Sequence, residues 1–139
     1  MTSRLTEINV DCAEPRPLAE FWCAVLGYTV LDASEDLVEI GPAGRPDADL
    51  LDAVRRAPVA PTIFFARVPE GKTVKNRLHL DLSPVDTTQA EEVARLEALG
   101  ARRVDVGQGS DVSWVVMADP ECNELCVLRS LAPGEFALP

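Results

Sequence analysis

Hydrophobic and polar residues alternate at the start of the chain. In LTEINVDC (5–12), Ile8 and Val10 fall on one side of an extended backbone, and Glu7, Asn9 and Asp11 fall on the other. The period then changes. Past Pro15 and Pro17, PLAEFWCAVLG brings Leu18, Phe21, Trp22, Val25 and Leu26 onto one helical face, and Gly27 supplies a C-terminal stop. YTVLDAS, LVEIG and TIFFARV read as three further strands.

The same order then returns. In NRLHLDLS, Leu78, Leu80 and Leu82 oppose Arg77, His79 and Asp81. Asp86 and Thr87 are candidate caps for a helix over TTQAEEVARLEALG, with Val93, Leu96 and Leu99 as its apolar stripe and Gly100 as its stop. ARRVDV, VSWVVMAD and NELCVLR complete the set. The pattern predicts an α+β fold of two βαβββ modules, 5–69 and 76–130, within one domain spanning 1–139. Glu7 precedes Glu14 by seven residues and His79 precedes Asp86 by seven, so Glu7 and His79 are counterparts on the opening strands. Both lie on the polar face. Two sheets curled toward each other would line a shared hollow with Glu7, Asn9, Asp11, Arg77, His79 and Asp81; otherwise that face meets only solvent.

The stretch 42–61, PAGRPDADLLDAVRRAPVAP, has no counterpart in the second half. It carries a possible short helix, DADLLDAVRR, and reads as a lid over the hollow or as a surface insertion.

Composition narrows the partners. Hydrophobic residues form 47% of the 139, enough for a core, and 23 acids against 13 Lys and Arg give a net charge of −10. Such a surface repels phosphate backbones and anionic lipid, so nucleic acid and membrane are not expected partners. MTSRLTEINV has no secretory h-region, and a cytoplasmic protein is expected. Its four cysteines (Cys12, Cys23, Cys122, Cys126) are then reduced thiols. Cys12 and Cys23 read as buried apolar groups, and Cys122 with Cys126 is a weak zinc signal without a second pair.

The doubled strand–helix–three-strand order resembles the vicinal oxygen chelate superfamily, which includes glyoxalase I, extradiol dioxygenases and bleomycin-resistance proteins. AEFWCAVLGY resembles its helix signature. KTVKNRLHLDL, EEVARLEALGA and ADPECNELCVL resemble its glyoxalase-like subgroup of actinobacterial type. The resemblance implies a cup-shaped mixed sheet built from paired modules, often in dimers, with a metal or ligand held inside. It places metal ligands on the first strand of each module, here Glu7 and His79, and an acid on the last strand. That acid stands three residues after the Asn of a D-P-x-G-N turn, which here is Asp119-Pro120-Glu121-Cys122-Asn123. Cys122 thus replaces the turn glycine, and Cys126 replaces the acid.

These departures limit the chemistry. A facial triad of two His and one carboxylate around iron is out of reach of a chain with one histidine, so extradiol dioxygenase activity is not expected. Glyoxalase-type chemistry would use Glu7 and His79 as catalytic groups on a divalent metal held by Glu7, His79 and Cys126, with zinc favoured by the thiol. Glu124 is two residues before Cys126 on the same face and could substitute only after a strand shift. Without metal, His79 is a hydrogen-bonded residue that orients a ligand or shuttles a proton. Asn9, Arg77, Asp81, Trp114 and Glu124 complete the candidate ligand-binding set; Arg77 could equally pair with Asp81 or Asp11. Phe21 and Trp22 are expected in the helix core. The leading expectation is a protein that holds a small organic molecule, sequestering or modifying it, with no cofactor or one divalent metal. The alternatives are a divalent-metal lyase or isomerase of glyoxalase I type and an interaction module without a ligand. A homodimer is expected because each module has one helix to cover its sheet, and because the apolar tail with Leu131, Phe136 and Leu138 needs a surface to cover it.

Overall fold

A computed structural model describes residues 3–44 and 49–135. The chain forms two compact units, residues 1–71 and 72–139. In the first, β1 (Glu7–Cys12) leads into α1 (Pro15–Leu26), followed by β2 (Tyr28–Ala33), β3 (Leu37–Pro42), α2 (Leu50–Arg56) and β4 (Thr62–Arg67). The sheet order is β1-β4-β3-β2; β1 runs parallel to β4, and the other pairs are antiparallel. The parallel pair exists because the chain must cross back over the sheet, and α1 makes part of that crossing. Helix α1 starts two residues earlier than the sequence pattern suggests, at Pro15, whose missing N–H costs nothing in the first turn. It ends at Gly27, whose φ of 68° is left-handed. Leu18, Ala19, Phe21 and Trp22 are buried in α1, while Val25 and Leu26 are only half-buried. Phe21 and Trp22 meet edge to face at 5.6 Å. Val38, Ile40, Ile63 and Phe65 form the sheet side of this core.

The second unit repeats the topology: β5 (Leu80–Leu82), α3 (Gln89–Ala98), β6 (Arg102–Arg103), β7 (Val115–Ala118) and β8 (Glu124–Val127), in the order β5-β8-β7-β6. Here too the first and last strands are parallel and the rest antiparallel. Val93 and Leu96 of α3 are fully buried, as are Met117, Leu125 and Val127 of the sheet. The cap of α3 is Thr88, neither Asp86 nor Thr87. Its hydroxyl accepts from the Glu91 amide, and the Glu91 carboxylate accepts from the Thr88 amide, a reciprocal capping box. Thr87 instead donates its hydroxyl to Glu91 at 2.7 Å.

Two expected core positions are corrected. Leu99 is 37% exposed because it is the C-cap of α3 and has left the buried stripe. Leu78 is 86% exposed, because β5 begins at Leu80 instead of Arg77. The register explains it. Leu80 pairs with Leu125, so Leu78 would stand opposite Asn123, which belongs to a turn and offers no ladder. Side chains hold the preceding segment instead: Asn76 Nδ2 donates to Asn123 Oδ1 at 3.0 Å.

That turn is built on Asp119, which is 1% exposed and accepts from the amides of Glu121 and Asn123 at 2.9 Å each. Cys122 within it has φ 71°, the only positive φ outside glycine among the described residues. In the 42–61 connection, α2 occupies 50–56; Asp47 and Ala48 of the expected helix lie outside the described residues. Arg4 Nε donates to the Val54 carbonyl at 3.1 Å and ties α2 to its own unit. Phe136 and Leu138 of the tail also lie outside the described residues, and Leu131 is 52% exposed. Among the described residues no helix is long and apolar enough to cross a membrane.

Candidate functional site

Strand alternation puts Leu125 and Val127 of β8 under the helix and turns Glu124, Cys126 and Leu128 to the opposite face. Register then assembles the neighbours. Asp81 of β5 stands beside Cys126 on one side, and Val116 of β7 stands beside it on the other. His79, one residue before β5, and Trp114, one residue before β7, extend the same face. Together they line a hollow of about 310 Å³, completed by Lys75, Val106 and Gln108 from loops. Trp114, Val106, Val116 and Leu128 give it apolar walls.

The polar end of the hollow is a linked cluster. His79 Nε2 lies 3.2 Å from Asp81 Oδ1. Asp81 also accepts a hydrogen bond from the Cys126 thiol. Burial, followed by the Asp81 charge and that hydrogen bond, pushes the thiol up to about 11, so Cys126 carries its proton at neutral pH unless a cation replaces it. Glu124 is differently placed. Burial opposes its ionisation, yet a hydrogen bond from Lys72 and another from the Asn76 amide outweigh that and hold the carboxyl at about 2. Lys72 Nζ is 2.8 Å from Oε1, and Asn76 N is 3.0 Å from Oε2. Glu124 is a fixed anion whose oxygens are already occupied by the unit's own groups.

Residues fit for a metal are His79, Asp81 and Cys126, whose ligand atoms all lie within 4.8 Å of one another. The donors are one nitrogen, one oxygen and one sulfur, a set suited to zinc. His79 and Cys126 were expected in such a set, whereas Asp81 was expected only to bind ligand. Glu7 and Asn9 lie exposed on β1 of the first unit. Arg77 is exposed and does not line the hollow; Asp81 is engaged by His79 and Cys126 instead. Trp114 and Glu124 do line it. Lys75, Val106 and Gln108 were not singled out from the sequence, and no signal marks them: each sits in a loop whose path the tertiary fold sets. Val116 and Leu128 were not singled out either, but strand alternation marks them, two residues from Trp114 and Cys126.

Residues 7–128 match the glyoxalase-like domain. No curated protein matches the sequence significantly. Several solved structures share the fold. One is a glyoxalase/bleomycin resistance protein/dioxygenase family enzyme from Burkholderia phytofirmans PsJN, with 18% identity, a TM-score of 0.59, and coverage of 90% of this chain and 97% of that one. Another is a mutant of the fosfomycin resistance protein FosX from Listeria monocytogenes, complexed with Mn(II) and 1S,2S-dihydroxypropylphosphonic acid; identity is 12%, the TM-score is 0.63, and coverage is 94% and 92%. FosX from Mesorhizobium loti is similar at 9% identity and a TM-score of 0.61, covering 92% of each chain. With the doubled topology and 122 consecutive positions matched (7–128), the chain belongs to the glyoxalase-like domain family of the vicinal oxygen chelate superfamily.

Proposed function

We propose that the protein binds a small organic molecule in the hollow of its second unit, with its apolar part against Trp114 and Val116 and its polar part at His79 and Asp81. The observation that supports this most is the hollow itself. A concave site with apolar walls and a few convergent polar groups at one end is the usual form of a small-molecule pocket. Trp114 is 40% exposed in that wall, a large apolar surface left for a ligand to cover.

Thermal-shift screening of small organic compounds tests the reading. A compound that raises the melting temperature of the wild type, and does so much less for Trp114→Ala and His79→Ala, supports it. Shifts that survive both substitutions place binding elsewhere and overturn it.

The second reading, a divalent-metal lyase or isomerase of glyoxalase type, is favoured by the His79–Asp81–Cys126 cluster. A bound divalent ion would supply Lewis-acid polarisation of a substrate oxygen. The chain's own groups would hold and orient the substrate, with Trp114 excluding water from its apolar side. Cytoplasmic location and a homodimer belong to the same proposal; light scattering at low micromolar concentration should give about twice the chain mass of 15.0 kDa, and a single-chain mass would refute the dimer.

A further inference from the structure

We infer that the hollow of the second unit selects small planar aromatic monocarboxylates, with the ring against Trp114 and the carboxylate paired with Lys75. The inference rests on the small-molecule reading of that hollow and adds the charge and shape of the ligand.

The charge follows from which lining groups are already satisfied. The Glu124 carboxylate holds Lys72 Nζ at 2.8 Å and the Asn76 amide at 3.0 Å. Asp81 has His79 Nε2 at 3.2 Å and accepts from the Cys126 thiol. Lys75 also lines the hollow, yet among the described residues it has no carboxylate within 4.0 Å and no hydrogen-bond partner. Its charge reaches the polar end. Burial and then the Asp81 charge push the Cys126 thiol up, and Lys75 is the group that pulls against them. One unpaired cation matches one negative charge, and the attraction strengthens as a ligand displaces water from a concave site. A dianion such as a phosphonate would set a second charge beside Asp81 and Glu124 with no cation left to meet it. A ligand ammonium would meet Lys75 as a like charge.

The shape follows from the walls. Trp114 is 40% exposed, and Val106, Val116 and Leu128 extend its apolar surface. A flat ring covers an indole over its whole face, and aromatic pairs gain more than the area they bury. A puckered ring of the same size touches it at a few atoms only. The volume of about 310 Å³ lies at the small end of ligand pockets and suits a single ring or a fused pair. With the carboxylate on Lys75, His79 and Asp81 remain to hydrogen-bond a neutral substituent of the ring.

The test is isothermal titration calorimetry of the full chain with a matched series: naphthoate, naphthamide, naphthylmethylamine, naphthylphosphonate and the saturated decalin carboxylate. Mildly alkaline buffer keeps the phosphonate a dianion. Naphthoate should bind best, ahead of naphthamide by roughly fivefold or more at low salt, and the advantage should shrink as salt rises. Lys75→Met should bring acid and amide to similar affinity, whereas Lys75→Arg should keep the preference. Arg77→Met, at an exposed position off the hollow, should keep it too. Trp114→Leu should weaken naphthoate and change decalin carboxylate little. All these positions are exposed, so the variants should fold. Amide, amine or phosphonate binding as tightly as naphthoate would overturn the inference, as would a preference for the acid that survives in Lys75→Met. So would equal affinity for the decalin acid, or no naphthoate binding up to millimolar concentration. If Trp114→Leu still weakens whichever compound binds, the hollow remains a small-molecule site with another selectivity. Naphthoate binding that neither Lys75→Met nor Trp114→Leu alters lies elsewhere and overturns both readings.

Discussion

Lys72 and Glu124, separated by 52 positions in the chain, form a 2.8 Å ion pair with only 18% and 12% of their side chains exposed. The pair fastens the segment before β5 to the first residue of β8, beside the hollow. Removing Lys72 leaves the partly buried Glu124 carboxylate with the Asn76 amide but without a countercharge. Lys72→Met should therefore cost about 1–3 kcal/mol in denaturant unfolding at neutral pH. The sign with pH follows from the depressed carboxyl. Its folded value of about 2 lies below the ordinary 4.5, so the contribution is complete above pH 4.5 and fades as pH falls toward 2. Lys72→Met should flatten stability across that acid window. An unchanged acid profile would show that the pair contributes nothing.

Cys122 occupies a left-handed position in the Asp119–Asn123 turn. A side chain there costs about 1 kcal/mol relative to glycine. Cys122→Gly should raise the unfolding free energy by up to about 1 kcal/mol, partly offset by the greater freedom of glycine in the unfolded chain. A clear loss of stability would assign weight to the 3.0 Å contact between Arg102 Nη2 and the Cys122 sulfur.

Truncation separates the second sheet from the segment that precedes it. Leu125 is fully buried under α3, and Leu125→Ala should cost about 2–5 kcal/mol. Leu78 lies in the exposed run before β5, and Leu78→Ala should change stability by less than about 0.5 kcal/mol. Equal effects in chemical denaturation would mean that the strand continues upstream of Leu80.

Thiol chemistry should discriminate the cysteines. Cys122 is exposed, while Cys12 and Cys126 are buried. Burial, and then the Glu20 charge, also raises Cys23. At neutral pH, iodoacetamide followed by peptide mass mapping should find Cys122 modified first and Cys126 last. Early labelling of Cys126 would show the floor of the hollow open in solution.

The doubled topology was legible in the sequence because hydrophobic period reports local environment. Ile8 with Val10, Leu18 with Trp22, and Val93 with Leu96 announce strand, helix and helix before any tertiary contact is known. The face bearing His79 and Asp81 followed from the same alternation, and the left-handed turn at Cys122 followed from the glycine that the family resemblance expects there. Tertiary structure decided the rest. Where β5 begins depends on where its partner β8 ends, which is why Leu78 reads as core in the pattern and lies exposed in the fold. The carboxylate that joins His79 and Cys126 depends on strand register, because only the pairing of β5 with β8 sets Asp81 against Cys126, 45 positions away. Period gives each residue a face; the hydrogen-bonded register between distant strands gives it a neighbour.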